Sequence, residues 1–300
     1  MNKWIKWGAF GVGALLVLAA LVIVAGKGMG EQKMARTVRV DVAPVAVVAD
    51  AAHIEQGRYL FNTRGCAECH GSNGAGKVVI DDGGMLVASP NLTSGSHGVT
   101  VGYQPVDWVR TLRHGVKPGG QPVMIMPSED YNRITDDDLG ALIAYIRQMP
   151  AADGQVAQIK LPLPVKVLYG FGAIEDAAAK IDHKLPPALP VARGVTVEHG
   201  AYVANTCLGC HGDHLSGGKI PGGPPSWPAA ANLTPGGGSA MVRYPTAELF
   251  IRMLRSGHRP DGTQISKVMP FMSLGAMSDV DMGALHLFLK SVPAREAGNR

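Results

Sequence analysis

The pentapeptide Cys-x-x-Cys-His occurs twice in this 300-residue chain, as Cys66-Ala67-Glu68-Cys69-His70 and as Cys207-Leu208-Gly209-Cys210-His211, and the two copies use all four cysteines. Two thiols at that spacing add to the two vinyl groups of one haem, and the adjacent histidine reaches the iron as its proximal ligand. As a zinc site, each copy would offer three ligands and no further cysteine to close a tetrahedron. As a redox dithiol, it would open a helix after a strand, and neither copy follows a strand pattern. The motifs therefore predict two covalently bound haem c groups, attached through Cys66, Cys69, Cys207 and Cys210, with His70 and His211 on the irons.

The motifs are the centres of an internal repeat. Cys66, His70, Asn91 and Thr93 lie 141 positions before Cys207, His211, Asn232 and Thr234; Trp108, Arg110, Leu112, Arg113 and Gly115 lie 142 before Phe250, Arg252, Leu254, Arg255 and Gly257. From there the offset is 143, pairing Met126-Pro127 with Met269-Pro270 and Pro150 with Pro293. Each copy reads as a short run of helices. One, near residues 54–62 and 198–206, leads into the haem motif. The next is opened by Pro105 or Pro245 and closed by Gly115 or Gly257. The last starts at Thr135 or Ser278 with acids in its first turn and stops before Pro150 or Pro293. Its apolar face is Leu139, Leu142, Ile143 and Ile146 in one copy and Met282, Leu285 and Leu289 in the other. No run alternates as a strand would. The prediction is an all-α fold of two tandem haem domains, 53–150 and 194–300, whose thin cores a haem disc completes.

A sixth iron ligand comes from the far side of the disc. Met126 and Met269, each just before a proline, match across the repeat and are assigned that role, with Met124 and Met272 as the nearest substitutes. A thioether favours ferrous iron and raises the reduction potential, and a filled sixth position leaves no iron site for substrate. A carbonyl on the second ring nitrogen of each proximal histidine fixes its tautomer; Pro90 and Ala231 are placed to supply it. Arg110, Arg113, Arg252 and Arg255 recur one helical turn apart and are candidate partners for haem propionates, although arginines on a helix more often form a solvated face. His114, His214 and His258 do not repeat and are taken as surface residues.

These elements together, the Cys-x-x-Cys-His motif, Asn-Leu-Thr, the aromatic-x-x-x-Leu-Arg-x-Gly helix and Met-Pro ahead of an acid-capped Gly-Ala-Leu helix, resemble the class I cytochrome c modules in cytochrome subunits of bacterial periplasmic alcohol and sugar-acid dehydrogenases. The resemblance covers residues 53–150 and 194–293. It implies a non-catalytic carrier that takes single electrons from a dehydrogenase subunit or other redox partner and passes them to a downstream acceptor of the respiratory chain. Many such subunits carry three haem motifs, whereas this chain carries two. A dihaem subunit of a terminal oxidase would use the same chemistry with another partner, and a haem enzyme, a peroxidase or thiosulfate-oxidising cytochrome, would need an open or unusual axial position.

The N-terminus places the modules. Residues 8–26 are uncharged, long enough to cross a bilayer, and preceded by Lys3, Trp4, Lys6 and Trp7. This predicts an uncleaved anchor over 1–27 in the bacterial inner membrane, with a cytoplasmic N-terminus and periplasmic haem domains; a cleaved signal peptide would have a shorter apolar run and a small-x-small site. The net charge of +4 belongs to this end: the first forty residues hold six bases and one acid, which leaves 22 bases against 23 acids. The rest of the chain carries no basic footprint for nucleic acid. Residues 28–52 read as an Ala/Val-rich stalk. The connection 151–193, with Leu161-Pro162-Leu163-Pro164 and Leu185-Pro186-Pro187, is too long for a hinge, and its apolar content predicts a strap packed over both modules.

Overall fold

The computed structural model describes residues 3–224 and 226–300. Helix α1 (Lys3–Ala35) comes first, followed by an extended segment. The first repeat contains α2 (Ala51–Thr63), α3 (Cys66–His70), strands β1 (Val78–Asp82) and β2 (Met85–Ala88), α4 (Pro105–His114) and α5 (Asp136–Gln148). The connection carries β3 (Gln158–Lys160), α6 (Leu163–Gly170) and α7 (Ala177–Lys180). The second repeat contains α8 (Val197–Ala204), α9 (Leu208–His211), α10 (Ala247–Ser256), α11 (Phe271–Gly275) and α12 (Asp279–Ser291). The protein is mostly α-helical, as the sequence implied.

The punctuation predicted for the helices is in place except at Pro245. Thr135 Oγ1 accepts from Asp138 N and Ser278 Oγ from Asp281 N, so both last helices are capped and carry acids against their positive ends. Gly115 and Gly257 end α4 and α10 with φ of 63° and 70°, the left-handed conformation that favours glycine. Pro105 is the first residue of α4, whereas Pro245 falls one residue before the Thr246 N-cap of α10.

In each repeat the first helix crosses the last at a glycine. A Cβ on Gly57 of α2 would collide with the Ala141 carbonyl of α5, and one on Gly200 of α8 with the Ala284 carbonyl of α12. These equivalent crossings bring backbone against backbone and build two separate apolar cores. One gathers Leu60, Phe61, Trp108, Val109, Ile134, Leu139, Leu142, Ile143 and Ile146. The other gathers Val203, Tyr244, Phe250, Met253, Leu254, Met277, Met282, Leu285 and Leu289.

Three features depart from the sequence reading. A small antiparallel sheet, ordered β1-β2-β3, adds strands to the all-α expectation. Its hairpin turns at Gly83-Gly84, both with positive φ, and its strands are too short for alternation to register. The stalk is not free: α1 continues to Ala35, Val38 N donates to Gly120 O at 2.8 Å, and Val42, Val45 and Val47 pack on the first core. The connection does pack, burying Leu161, Tyr169, Ala177, Ala178 and Ile181, yet it leaves Leu168 and Phe171 half exposed.

Candidate functional site

Each Cys-x-x-Cys-His motif is a single helical turn that ends on its histidine, and Gly71 (φ 77°) and Gly212 (φ 81°) stop the two turns. His70 Nδ1 lies 3.0 Å from Pro90 O, and His211 Nδ1 lies 2.8 Å from Ala231 O. A carbonyl can only accept, so Nδ1 is the protonated nitrogen and each Nε2 keeps its lone pair for a metal. Burial pulls both imidazoles below the usual histidine range, partly offset by the bonds to the two carbonyls. Both rings are therefore neutral, the form that ligates.

The thiols differ from those of a redox dithiol. Burial, helped by Cys69, pushes Cys66 up to about 12, and burial, helped by Asp130, pushes Cys207 up to about 12. Thiol–disulfide catalysts lower this value instead.

Asn91 and Asn232 hold the two carbonyls in place, a role that sequence reasoning noticed only as repetition. Asn91 Nδ2 donates to Ser96 O at 2.9 Å and to Ala152 O at 2.8 Å, while its Oδ1 accepts from Thr93 N at 2.8 Å. Asn232 does the same with Gly237 O (3.0 Å), Arg295 O (2.8 Å) and Thr234 N (2.9 Å). Each side chain ties the loop after the haem motif to the chain leaving the last helix.

The Met-Pro pairs also match in conformation. Pro127 and Pro270 both have φ −79° and ψ 70°, and Ser128 N and Phe271 N each reach back to the methionine carbonyl at 2.9 Å. Met126 and Met269 are half-buried, the latter against the second core. Met124 is half-buried as well, whereas Met272 is 82% exposed.

The four arginines part company. Arg110 is spent on Asp107 and the Val40 carbonyl, both at 3.4 Å. Arg252 is exposed, and Arg255 pairs with Asp279 at 2.5 Å on the surface. Arg113 is buried, with Nη2 on Ile134 O and Asp136 at 2.7 Å, and its Nε has no partner among the described residues, like the indole Nε1 of buried Trp108. A buried donor without an acceptor is costly, so these two fit an acidic group such as a propionate. His114, expected at the surface, is buried against His183 of the connection with Nδ1 atoms 3.1 Å apart, because the strap covers the end of α4. His214 and His258 are exposed as expected.

The two repeats meet through reciprocal contacts. Tyr59 OH donates to Asp281 at 2.5 Å and accepts from Ser278 N at 3.0 Å; its counterpart Tyr202 donates to Asp138 at 2.5 Å and accepts from Thr135 N at 3.4 Å. Each tyrosine thus seats on the N-terminus of the other repeat's last helix. Glu68 of the first motif accepts from Ser273 N at 2.9 Å, and Gly209 N of the second donates to Asp130 at 3.1 Å. Every one of these pairs maps onto another by exchange of the copies, which defines a pseudo-two-fold axis with the haem motifs turned toward it. Burial and the neighbouring Glu129 push Asp130 up to about 7. A cavity of about 160 Å³ lies beside the axis, its lining including Tyr59, Arg64, Asp138, His199, Tyr202 and Asp281. Arg64 breaks the symmetry: Asn62-Thr63 matches Asn205-Thr206 and Cys207 follows at once, so Arg64 and Gly65 have no counterpart in the second copy, and the buried Nη1 of Arg64 has no partner among the described residues.

Residues 54–150 match the family described as Cytochrome c. The chain is 28% identical over 278 residues to the fructose dehydrogenase cytochrome subunit of Gluconobacter japonicus, covering 84% of this chain and 55% of that one. It is 28% identical to the gluconate 2-dehydrogenase cytochrome c subunit of Pantoea cypripedii (83% and 62%) and 25% identical to the alcohol dehydrogenase (quinone) cytochrome c subunit of Gluconobacter oxydans (83% and 57%). It spans a little over half the length of these relatives. With a cytochrome c segment at 54–150 and similarity running through both repeats, the chain is a homologue of the cytochrome c subunits of bacterial dehydrogenases.

Proposed function

We propose that the chain is a membrane-anchored dihaem c-type cytochrome that relays single electrons from a periplasmic dehydrogenase toward the respiratory chain. The observation that carries this reading is the duplicated Cys-x-x-Cys-His turn with a carbonyl on each histidine Nδ1, at 3.0 and 2.8 Å. Haem c, when bound, supplies the one-electron ferric–ferrous couple. The chain does the rest. Cys66, Cys69, Cys207 and Cys210 hold the two groups covalently, His70 and His211 present a neutral Nε2, and Met126 and Met269 supply a soft sixth ligand that favours the reduced state. Arg113 and Trp108 place unspent donors in the first repeat for propionate oxygens.

The pseudo-two-fold interface favours a relay over two independent carriers. It turns the motif-bearing side of each repeat toward the other through Glu68–Ser273 and Gly209–Asp130, so an electron that enters one half has a short way to the other. The donor is proposed to be a dehydrogenase because the relatives are named as subunits of fructose, gluconate and alcohol dehydrogenases.

Axial ligation separates the carrier from a haem enzyme. The ferric protein should show the far-red absorption of a methionine–iron bond, lost in part in Met126→Ala and in part in Met269→Ala, and the reduced wild type should bind carbon monoxide poorly. Ready carbon monoxide binding by the wild type would establish an open iron and remove the carrier reading.

A further inference from the structure

Helix α6 of the connection packs across the end of α1. A Cβ on Gly26 would lie 2.7 Å from the Phe171 ring and 2.9 Å from Val167, while one on Gly30, a turn further along, would strike the Lys166 carbonyl. The absence of side chains at Gly26, Gly30 and Gly170 lets the two backbones touch. Gly26 closes the uncharged run of residues 8–26, and Lys27 and Glu31 follow. The contacts therefore orient α6: Val167 and Phe171 lie at the level where the apolar run ends, Gly170 sits between Gly26 and Gly30, and Lys166 lies on the side away from the run.

At 100° per residue, moving around α6 from Gly170 past Val167 and Phe171 leads next to Pro164 and Leu168. Those residues are exposed, with Leu168 47% and Phe171 51% open. Pro164, Leu168 and Phe171 follow an i, i+4, i+7 stripe on the side of α6 that faces back along α1 toward its apolar run. The opposite side is built into the protein. Tyr169 is 1% exposed and donates to Asp176 at 2.6 Å, Arg36 grips the same carboxylate at 2.6 and 2.9 Å, and Lys33 reaches the Tyr169 carbonyl at 3.2 Å. Lys166, paired with Glu31 at 3.0 Å, rides at the flank. One face is fixed by a charged clamp and the other carries an apolar stripe beside a membrane-length helix.

We propose that α6 is an interfacial helix whose Pro164-Leu168-Phe171 stripe enters the boundary between headgroups and acyl chains of the bilayer that α1 crosses. An apolar stripe with cations at its flank, level with the end of a span, has the chemistry of a helix lying in that plane. Together with α1 it gives the haem-motif repeats two points of attachment to the membrane, which fixes their orientation over the surface instead of leaving them to swing on one helix. The inference rests on α1 spanning a bilayer.

The test places a photoreactive p-benzoylphenylalanine in the full-length haem-loaded chain, in vesicles of phosphatidylethanolamine and phosphatidylglycerol, at four positions singly: Leu15, Leu168, Phe171 and Asp261. Lipid adducts are then mapped by peptide mass. The expected result is adducts at 15, 168 and 171 and none at exposed Asp261. Adducts at 15 with none at 168 or 171 would overturn the interfacial helix and leave the span standing. No adduct at 15 would overturn the span, and the inference with it. Capture of a co-purified protein in place of lipid at both 168 and 171, in native membranes, would also overturn it.

Discussion

His114 shows how a single side chain can escape sequence reasoning. It has no counterpart in the second repeat, and nothing in its neighbourhood says that a segment some seventy residues away will cover it. In the fold, burial, with His183 and Arg113 nearby, lowers it to about 4. A histidine depressed in the folded state adds stability above its ordinary value near 6.5, and that stability is lost as pH falls through about 4. Thermal unfolding of the wild type should therefore move to lower temperature as pH drops across that window, and His114→Gln should flatten the slope; an unchanged slope in the variant would contradict the assignment. Asn91 was visible as a repeated position, but its work was not, because its acceptors sit on segments distant in sequence. Removal of this fully buried amide strands two carbonyls and one N–H, so Asn91→Ala should cost about 2–4 kcal/mol in chemical denaturation. The Cys-x-x-Cys-His motifs, by contrast, are visible in the chain directly, since the covalent haem attachment proposed for them demands only local spacing.

At the level of elements, helices with explicit caps were readable and the sheet was not. Thr135, Ser278, Gly115 and Gly257 carry their own instructions. The strands β1, β2 and β3 are three to five residues each, and β3 comes from the connection, so pairing depends on tertiary contact that no local pattern announces. The helix crossings supply a contrast between glycines. An alanine in a helix is ordinarily better than glycine by about 1 kcal/mol, yet at Gly57 the new methyl would meet the Ala141 carbonyl and lie 2.7 Å from Tyr145 Cβ. Gly57→Ala should thus destabilise by about 1–3 kcal/mol. Gly283 of α12 meets only Val195 methyl groups at 3.6 Å, ordinary contact, and Gly283→Ala should stabilise by about 0.5–1 kcal/mol. Melting curves of the two variants check both signs, and movement in the same direction would mean that the crossing is not a backbone contact.

For the molecule as a whole, the repeat was written in the sequence, but the axis relating its copies was not. The offsets of 141 to 143 residues say that two modules exist; only coordinates show that Tyr59 seats on α12 while Tyr202 seats on α5. Each of these half-buried hydroxyls donates to a carboxylate, so Tyr59→Phe and Tyr202→Phe should each weaken the interface by about 1–3 kcal/mol. The measurable consequence is a split of the unfolding transition as the repeats begin to melt separately. A single unshifted transition in the double variant would show that the interface rests on other contacts. Arg64, close to Cys66 and Cys207 and without a counterpart in the second copy, adds to the electrostatic difference that Glu68 opposite Gly209 and Asp130 opposite Ser273 already make between the two halves. The most direct test of the account is the intact mass, under denaturing conditions, of the chain matured in a host that attaches haem. The account requires two covalently held haems on the wild type and one on a Cys66→Ala/Cys69→Ala variant. A wild-type chain that carries one haem or none would contradict it.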